Sequence, residues 1–547
     1  MESPFQHRIV HCLRVFMILT TIASPAGVCF AQNDLPIDEI EVIKDFDARL
    51  VETQKVAITP RLPETDTSAI NYQYRISVAS PKITYLPPQI RPLALRPEEQ
   101  PKGYRGFLRA GYGVPNAILG NISYFLVSRD PFQLAFSGHH HSANYKKNDL
   151  QKFSDSGGAI TGNYNASPAL SVSGGLGYHY SKVYFYGLKA DDDTPYVDDR
   201  RSYKTFTAKA SISNPKRLSG DINYRATLDF YHHQDDLSAK ETGVDLLLQG
   251  EKWIAGKHVF AIDINADVSS LKDSEQKRSL DNFFVHPSFA YHKKIFSATG
   301  GLNLATHEEE ITFFPTVNFS IQVSGNRLIA FAEIDGGLSK NNFRTLSTYN
   351  PFIHPRIDEI RNTSHRDYFG GLKGSIGKLE YQGKAGISTV KNLALFEPDR
   401  FDYRKFQPLY DDGNIIRIEG VVKSEPISHL QVGASMAKLF YDLDVQEKAW
   451  HLPSLQASLF SSYTSEDKKL RLRGELFIEN GVPYLNEDEE ADKLKGLLDI
   501  SLGADYYFTE NIGAFIQVNN LLGNKHQRWQ RYAVYGLNGV AGVLVRI

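Results

Sequence analysis

The stretch Ile222-Asn-Tyr-Arg-Ala-Thr-Leu-Asp-Phe-Tyr231 decides the fold. Ile222, Tyr224, Ala226, Leu228 and Phe230 alternate with Asn223, Arg225, Thr227, Asp229 and Tyr231. Side chains of a β-strand point to opposite faces in turn, so this period of two makes a strand with one apolar and one polar face. The same alternation recurs in Phe260, Ile262, Ile264, Ala266 and Val268 against Asp263, Asn265 and Asp267. It recurs again in Leu470, Leu472, Leu476 and Ile478 against Arg471, Arg473, Glu475 and Glu479.

Outward from these three segments the pattern fills residues 102–547. Twenty-two strands are predicted there, among them 157–165, 169–187, 379–389, 413–423 and 532–547. Their connections alternate in length. Arg129–Pro131, Ala166–Pro168, Ser324–Asn326 and Gly377-Lys378 are short, whereas 142–156, 188–202, 270–281, 339–365, 390–412 and 481–493 are long. Short turns at one end and long loops at the other are the pattern of a transmembrane β-barrel, with the turns periplasmic and the loops outside. In hydrocarbon every backbone N–H and C=O must be paired internally, and a closed antiparallel sheet does this without leaving an edge.

Composition agrees. Hydrophobic residues make up 41% of the 547, yet the mean hydropathy is -0.33. That combination suits a wall with one face in lipid and the other in water. Beyond residue 31 no run approaches the ~20 apolar residues of a membrane helix. The formal charge of -2 is near neutral, and there is no basic stripe for nucleic acid.

Two segments precede the strands. Residues 1–31 read as a secretory signal peptide: Arg8 and Arg14 are the basic region, Val15–Ala23 the apolar core, and Cys29-Phe30-Ala31 the cleavage site. Removing them takes away both cysteines, Cys12 and Cys29. Residues 32–101 contain Pro36, Pro60, Pro63, Pro81, Pro87, Pro88, Pro92, Pro97 and Pro101 and no Gly, which predicts an extended, semi-rigid segment, periplasmic or lumen-associated. The fold class is therefore all-β: a large transmembrane antiparallel barrel of about 22 strands behind a signal peptide and a Pro-rich segment. It belongs in the outer membrane of a Gram-negative bacterium, in contact with lipid.

The last stretch, Asn511-Ile-Gly-Ala-Phe-Ile-Gln-Val-Asn519-Asn520-Leu521-Leu522, followed by Trp529, Tyr532, Gly536 and Gly542, resembles the closing strands of TonB-dependent receptors. Tyr535, Leu537, Val543, Val545 and Ile547 are assigned to one face of the last strand. Twenty-two strands is also that family's number. The resemblance implies transport or binding of a solute through or at a polar lumen. The family's plug domain has no counterpart of sufficient length before residue 102, so the chain looks closer to plug-less receptor-like barrels. Ile37-Asp38-Glu39-Ile40-Glu41-Val42-Ile43 resembles a TonB box, which would add as a strand to a periplasmic energy-transducing protein. The alternative is a structural or assembly subunit whose lumen is occupied and which binds other envelope proteins.

No nucleotide-binding loop, zinc-protease motif or calcium-binding loop occurs, and neither a catalytic site nor a cofactor is expected. His139-His140-His141 is read as a solvated rim rather than a metal site, because neighbours on a strand face opposite ways. The acidic runs Asp191–Asp199 and Glu487–Asp492 are read as outer loops. Arg225, Asp229, Asp263, Asp267, Arg417, Glu419, Arg471, Arg473 and Glu475 are predicted to face the lumen, and their mixed signs predict no strong ion selectivity.

Overall fold

The structure, a computed structural model, describes residues 103–145, 150–187, 200–218, 220–307 and 310–547. The signal peptide, the Pro-rich segment and the TonB-box-like Ile37–Ile43 lie outside the described residues.

Twenty-two strands form one sheet. They are β1 (Gly106–Val114), β2 (Ala117–Arg129), β3 (Phe132–Asn144), β4 (Lys152–Ser167), β5 (Leu170–Tyr184), β6 (Arg200–Ser213), β7 (Ile222–Asp235) and β8 (Lys240–Ile254). Next come β9 (His258–Lys272), β10 (Lys277–His292), β11 (Phe296–His307), β12 (Glu310–Ser324), β13 (Leu328–Lys340), β14 (Asn362–Ile376) and β15 (Leu379–Pro398). The last seven are β16 (Phe406–Ile427), β17 (Leu430–Leu443), β18 (Leu455–Thr464), β19 (Leu470–Glu479), β20 (Leu497–Tyr507), β21 (Ile512–Asn519) and β22 (Asn538–Arg546).

Each strand pairs antiparallel with its sequence neighbours, and β1 pairs with β22 to close the barrel. Closure is tight at Gly113, where a Cβ would run into the Gly539 carbonyl oxygen, and again two rungs along. Gly111 lies opposite Gly542, and a Cβ on Gly542 would fall 2.0 Å from the Ala110 carbonyl oxygen. Leu176, Leu228, Phe260, Val317, Leu372, Ile418, Leu459, Leu502, Ile516 and Val543 stay exposed on the outer face. An apolar belt on a closed sheet is the lipid-facing surface of an outer-membrane barrel. None of the described helices is long and apolar enough to cross a membrane.

Most strands overrun the predicted limits at the long-loop end, and the loop predicted over 270–281 is only the short turn between Lys272 and Lys277. The stretch read as a 390–412 loop is mostly ladder, since β15 runs to Pro398 and β16 begins at Phe406. Leu395 and Phe396 are consecutive and both buried, on opposite faces of β15. A strand covered on both faces has no alternation to read, so its sequence looks like loop. The predicted last strand errs the other way. Residues 532–537 precede β22; Tyr532 and Ala533 pair with Gln527–Trp529 in a small hairpin. Trp529 and Tyr532 leave the wall because each is buried among aromatic residues elsewhere.

Those residues form a cap. The long connection after β13 contains a helix, α1 (Phe343–Tyr349). Phe343, Leu346, Tyr349, Phe352, Ile353, Ile357 and Ile360 from this connection pack with Trp529 and Tyr532 from the hairpin and with Val183, Tyr203, Leu271 and Leu280 from the wall. Loops that project into water would leave these side chains exposed. Folding them together inside the mouth removes that apolar surface from solvent.

Candidate functional site

Wall residues fix the cap by named bonds. Glu241, wholly buried on β8, accepts hydrogen bonds from the backbone N–H of Phe343 at 2.7 Å and Arg344 at 3.3 Å. A carboxylate there satisfies orphan donors and complements the positive end of the helix. Asn342 caps the same end, its side-chain oxygen accepting from the Thr345 N–H at 2.9 Å. Arg201 on β6 donates to the Ile353 carbonyl at 2.9 Å and to Asp235 on β7 at 2.6 Å. The Tyr203 hydroxyl donates to the Pro351 carbonyl at 2.8 Å.

A second set of contacts holds the cap together and ties it to β19. The Phe352 and Tyr532 rings stack with centroids 3.6 Å apart, and the Tyr532 hydroxyl donates to the Arg404 carbonyl at 2.6 Å. Arg528 donates to the Tyr349 hydroxyl at 2.9 Å and pairs with Glu479 on β19 at 3.2 Å. His451 stacks on Trp529 with centroids 5.2 Å apart. Its Nδ1 lies 2.9 Å from the Phe396 carbonyl and so carries the proton; Nε2 then accepts from the Gln530 N–H at 3.4 Å. Burial, with a smaller effect from the Arg528 charge, pushes this imidazole down to about 4.

Beneath α1 lies a cavity of about 600 Å³. Its roof includes Thr345, Leu346 and Tyr349. Its walls include His365 and Asp367 on β14, Lys384 on β15, Arg417 and Glu419 on β16, Glu475 on β19 and Asp499 on β20, with Arg528 at the rim. Polar groups of both signs converge on a space large enough for a small solute.

The predicted inner-face charges fall into this frame as follows. Arg417 and Glu419 line the cavity; Lys384 pairs with Glu419 at 3.3 Å and Arg417 lies 3.6 Å from the same carboxylate. Glu475 also lines it. Arg473, next along that face of β19, bonds both oxygens of Asp505 at 2.9 Å, and Arg471 follows it on the same strand. Asp229 pairs with Lys209 at 3.1 Å, and Asp263 accepts from Gln249 at 3.0 Å. Arg225 is exposed, on the face of β7 shared with Asp229. Asp267 on β9 pairs with Lys340 on β13. Those strands are not neighbours, so that contact crosses the interior.

The residues that hold the cap were not singled out from the sequence. Arg201, Asp235 and Glu241 sit at strand ends, where a charge ordinarily reads as solvated rim. The His139-His140-His141 run does not close on itself. His140 bonds Ser156 at 2.8 Å and Ser142 at 3.1 Å, and the His141 ring meets Phe153 edge-on. His139 instead meets Asp155 and His179 on the next two strands. Of the acidic loops, Asp191–Asp199 lies outside the described residues. In the other, Glu487 pairs with Arg531, and the Tyr484 hydroxyl donates to Asp492 at 2.9 Å.

Comparison with solved structures settles the fold. The FrpB iron transporter of Neisseria meningitidis (F5-1 variant) aligns over 82% of this chain and 83% of its own, with a TM-score of 0.65 at 10% identity. This chain has the barrel fold of TonB-dependent outer-membrane receptors. The siderophore receptor PirA of Acinetobacter baumannii aligns over 81% of this chain and 80% of its own, with a TM-score of 0.63 at 9% identity. A mutant ferric enterobactin receptor, PfeA of Pseudomonas aeruginosa, gives 0.61 at 10% identity over 81% and 80%. No protein-family description and no curated protein sequence matches the chain.

Proposed function

We propose that the chain takes a solute from the outer face of the membrane into the cavity beneath its loop cap and carries it inward. The observation that carries this reading is the 600 Å³ cavity roofed by α1 and lined by Lys384, Arg417, Glu419 and Arg528. Fixed groups of both signs suit a polar, multifunctional solute better than a simple ion. By their descriptions the similar barrels transport iron or receive siderophores, which places ferric chelates first among the compounds to try. Solute entry requires the cap to lift, and the contacts of Arg201 and Glu241 then set how readily it does. The TonB-box-like Ile37–Ile43 supplies the link to a periplasmic energy-transducing partner under this reading.

Purified protein in planar bilayers tests the gate. The intact barrel should conduct weakly, and a variant lacking residues 343–360 should conduct strongly. Equal conductance would reject a closing cap. In cells, deleting residues 37–44 should abolish energy-dependent uptake. Stoichiometric recovery of envelope partners, with no uptake of any chelate tried, would overturn the transport reading in favour of a structural role.

A further inference from the structure

The inner wall just beneath the cap carries a second site. His139 lies on β3, Asp155 on β4 and His179 on β5. Register brings them together: Gly157 pairs with His139 on one side and with His179 on the other. Asp155 is two residues from Gly157 on the same face, opposite Ser181. The His139 imidazole reaches over the bare backbone of Gly157 toward that carboxylate, and His179 meets it from the next strand. His139 Nε2 is 3.0 Å from Asp155 Oδ1, and His179 Nε2 is 2.7 Å from Oδ2. The three donor atoms all lie within 4.8 Å of one another.

Gly157 makes this convergence possible. A Cβ there would sit 2.5 Å from His139 Cε1, so any side chain would drive that ring out of the cluster. One rung nearer the cap is the Asp155–Ser181 pair, and the next is the Phe153–Val183 pair, whose side chains join the cap's apolar cluster. The cluster therefore borders the capped space. Both histidine side chains remain nearly half exposed, at 43% and 44%, so the rings are open to the lumen.

We infer that His139, Asp155 and His179 bind one divalent first-row transition-metal ion on the lumen wall. Two imidazoles and one carboxylate suit such ions, and around bonds of about 2.0–2.2 Å their donors would sit roughly 3–4 Å apart, so the two imidazole–carboxylate contacts would open slightly to admit the ion. Only small side-chain shifts separate the present arrangement from that geometry. Three protein ligands leave coordination positions for water or for a group on a solute, so the ion is exchangeable rather than a closed structural centre. Ser137 lies one step along the same face of β3 from His139 and adds no competing charge. This site rests on residues remote from those lining the cavity under α1 and stands whether or not that cavity carries a solute.

The test uses the untagged, full-length barrel in detergent after treatment with a chelator. Calorimetric titration with Zn²⁺ should give one site per chain. Titration with Co²⁺ should give the visible absorption of a nitrogen- and oxygen-ligated ion. Asp155→Asn and His179→Gln should each weaken Zn²⁺ binding at least tenfold, while His140→Gln, on the opposite face of β3, should leave it unchanged. Heat-modifiable gel mobility verifies that each variant forms the barrel. If one variant does not, the other two still decide. Zn²⁺ binding by the intact protein that matches Asp155→Asn or His179→Gln overturns the proposal. So does the absence of saturable binding, which would leave the cluster as a hydrogen-bonded brace between three strands.

Discussion

Arg201 and Asp235 form an ion pair of 2.6 Å in which neither side chain has any exposure to solvent. The pair joins β6 to β7, and its free guanidinium edge holds the cap through the Ile353 carbonyl. A buried pair of this kind is weak evidence for net stability, but removing one partner leaves an uncompensated charge. Two wall residues thus tie the cap to the barrel mouth.

Arg201→Leu should loosen the cap by about 3–5 kcal/mol, the usual cost of stranding one member of a buried pair. Amide exchange of residues 343–361 should accelerate while the ladder from β1 to β22 stays protected. Adding Asp235→Asn should recover part of the loss. Asn keeps an oxygen for the Leu237, Ser238 and Ala239 N–H groups that now bond Asp235, and it removes the stranded charge.

Glu241→Leu should unravel α1. A seven-residue helix is marginal alone and depends on its end contacts. Losing the carboxylate at its N-terminus costs about 1–2 kcal/mol. Protection of the Leu346 and Asn350 amides, which bond the Asn342 and Leu346 carbonyls, should fall first. Unchanged exchange at those two positions would refute this role for Glu241.

His451 makes cap stability depend on pH. Its pKa is about 6.5 when unfolded and about 4 in the folded cap, so between those values the open state binds more protons. The contribution is intact above pH 6.5, is lost as pH falls toward 4, and changes no further below that. At its steepest the loss is about 1.4 kcal/mol per pH unit. Proteolysis within residues 341–361 should therefore rise between pH 6.5 and 4, and His451→Asn should reduce that rise, the remainder coming from His354 and His526, which burial also pushes down.

Closure of the barrel should require glycine at Gly542, as at Gly113 on the same seam. Gly542→Ala places a methyl group 2.0 Å from the Ala110 carbonyl oxygen and should block pairing of β1 with β22, read as loss of heat-modifiable mobility. Gly300→Ala is the contrast. Nothing lies within 4 Å of the added carbon there, and the effect should stay within about 0.5 kcal/mol.

The membrane part of the molecule was legible residue by residue. Ile222–Phe230 faces lipid at alternate positions because a wall between hydrocarbon and water must repeat with the pleat. By the same spacing Asp229, Asp263 and Arg417 fall on the face opposite their apolar neighbours. Above the belt the same rule fails: both faces of β15 at Leu395 and Phe396 are covered by protein, so the sequence loses its period.

Sequence by itself determined the strand number and the lipid-facing surface, because both follow from local period and from the need to pair every backbone group in lipid. Tertiary structure alone decided that the loops fold inward as a cap, that Glu241 meets the end of α1, and that His139 meets His179 across Gly157. Those contacts join residues far apart in the chain, or on strands whose register is set only when the whole sheet closes, and no local pattern encodes them.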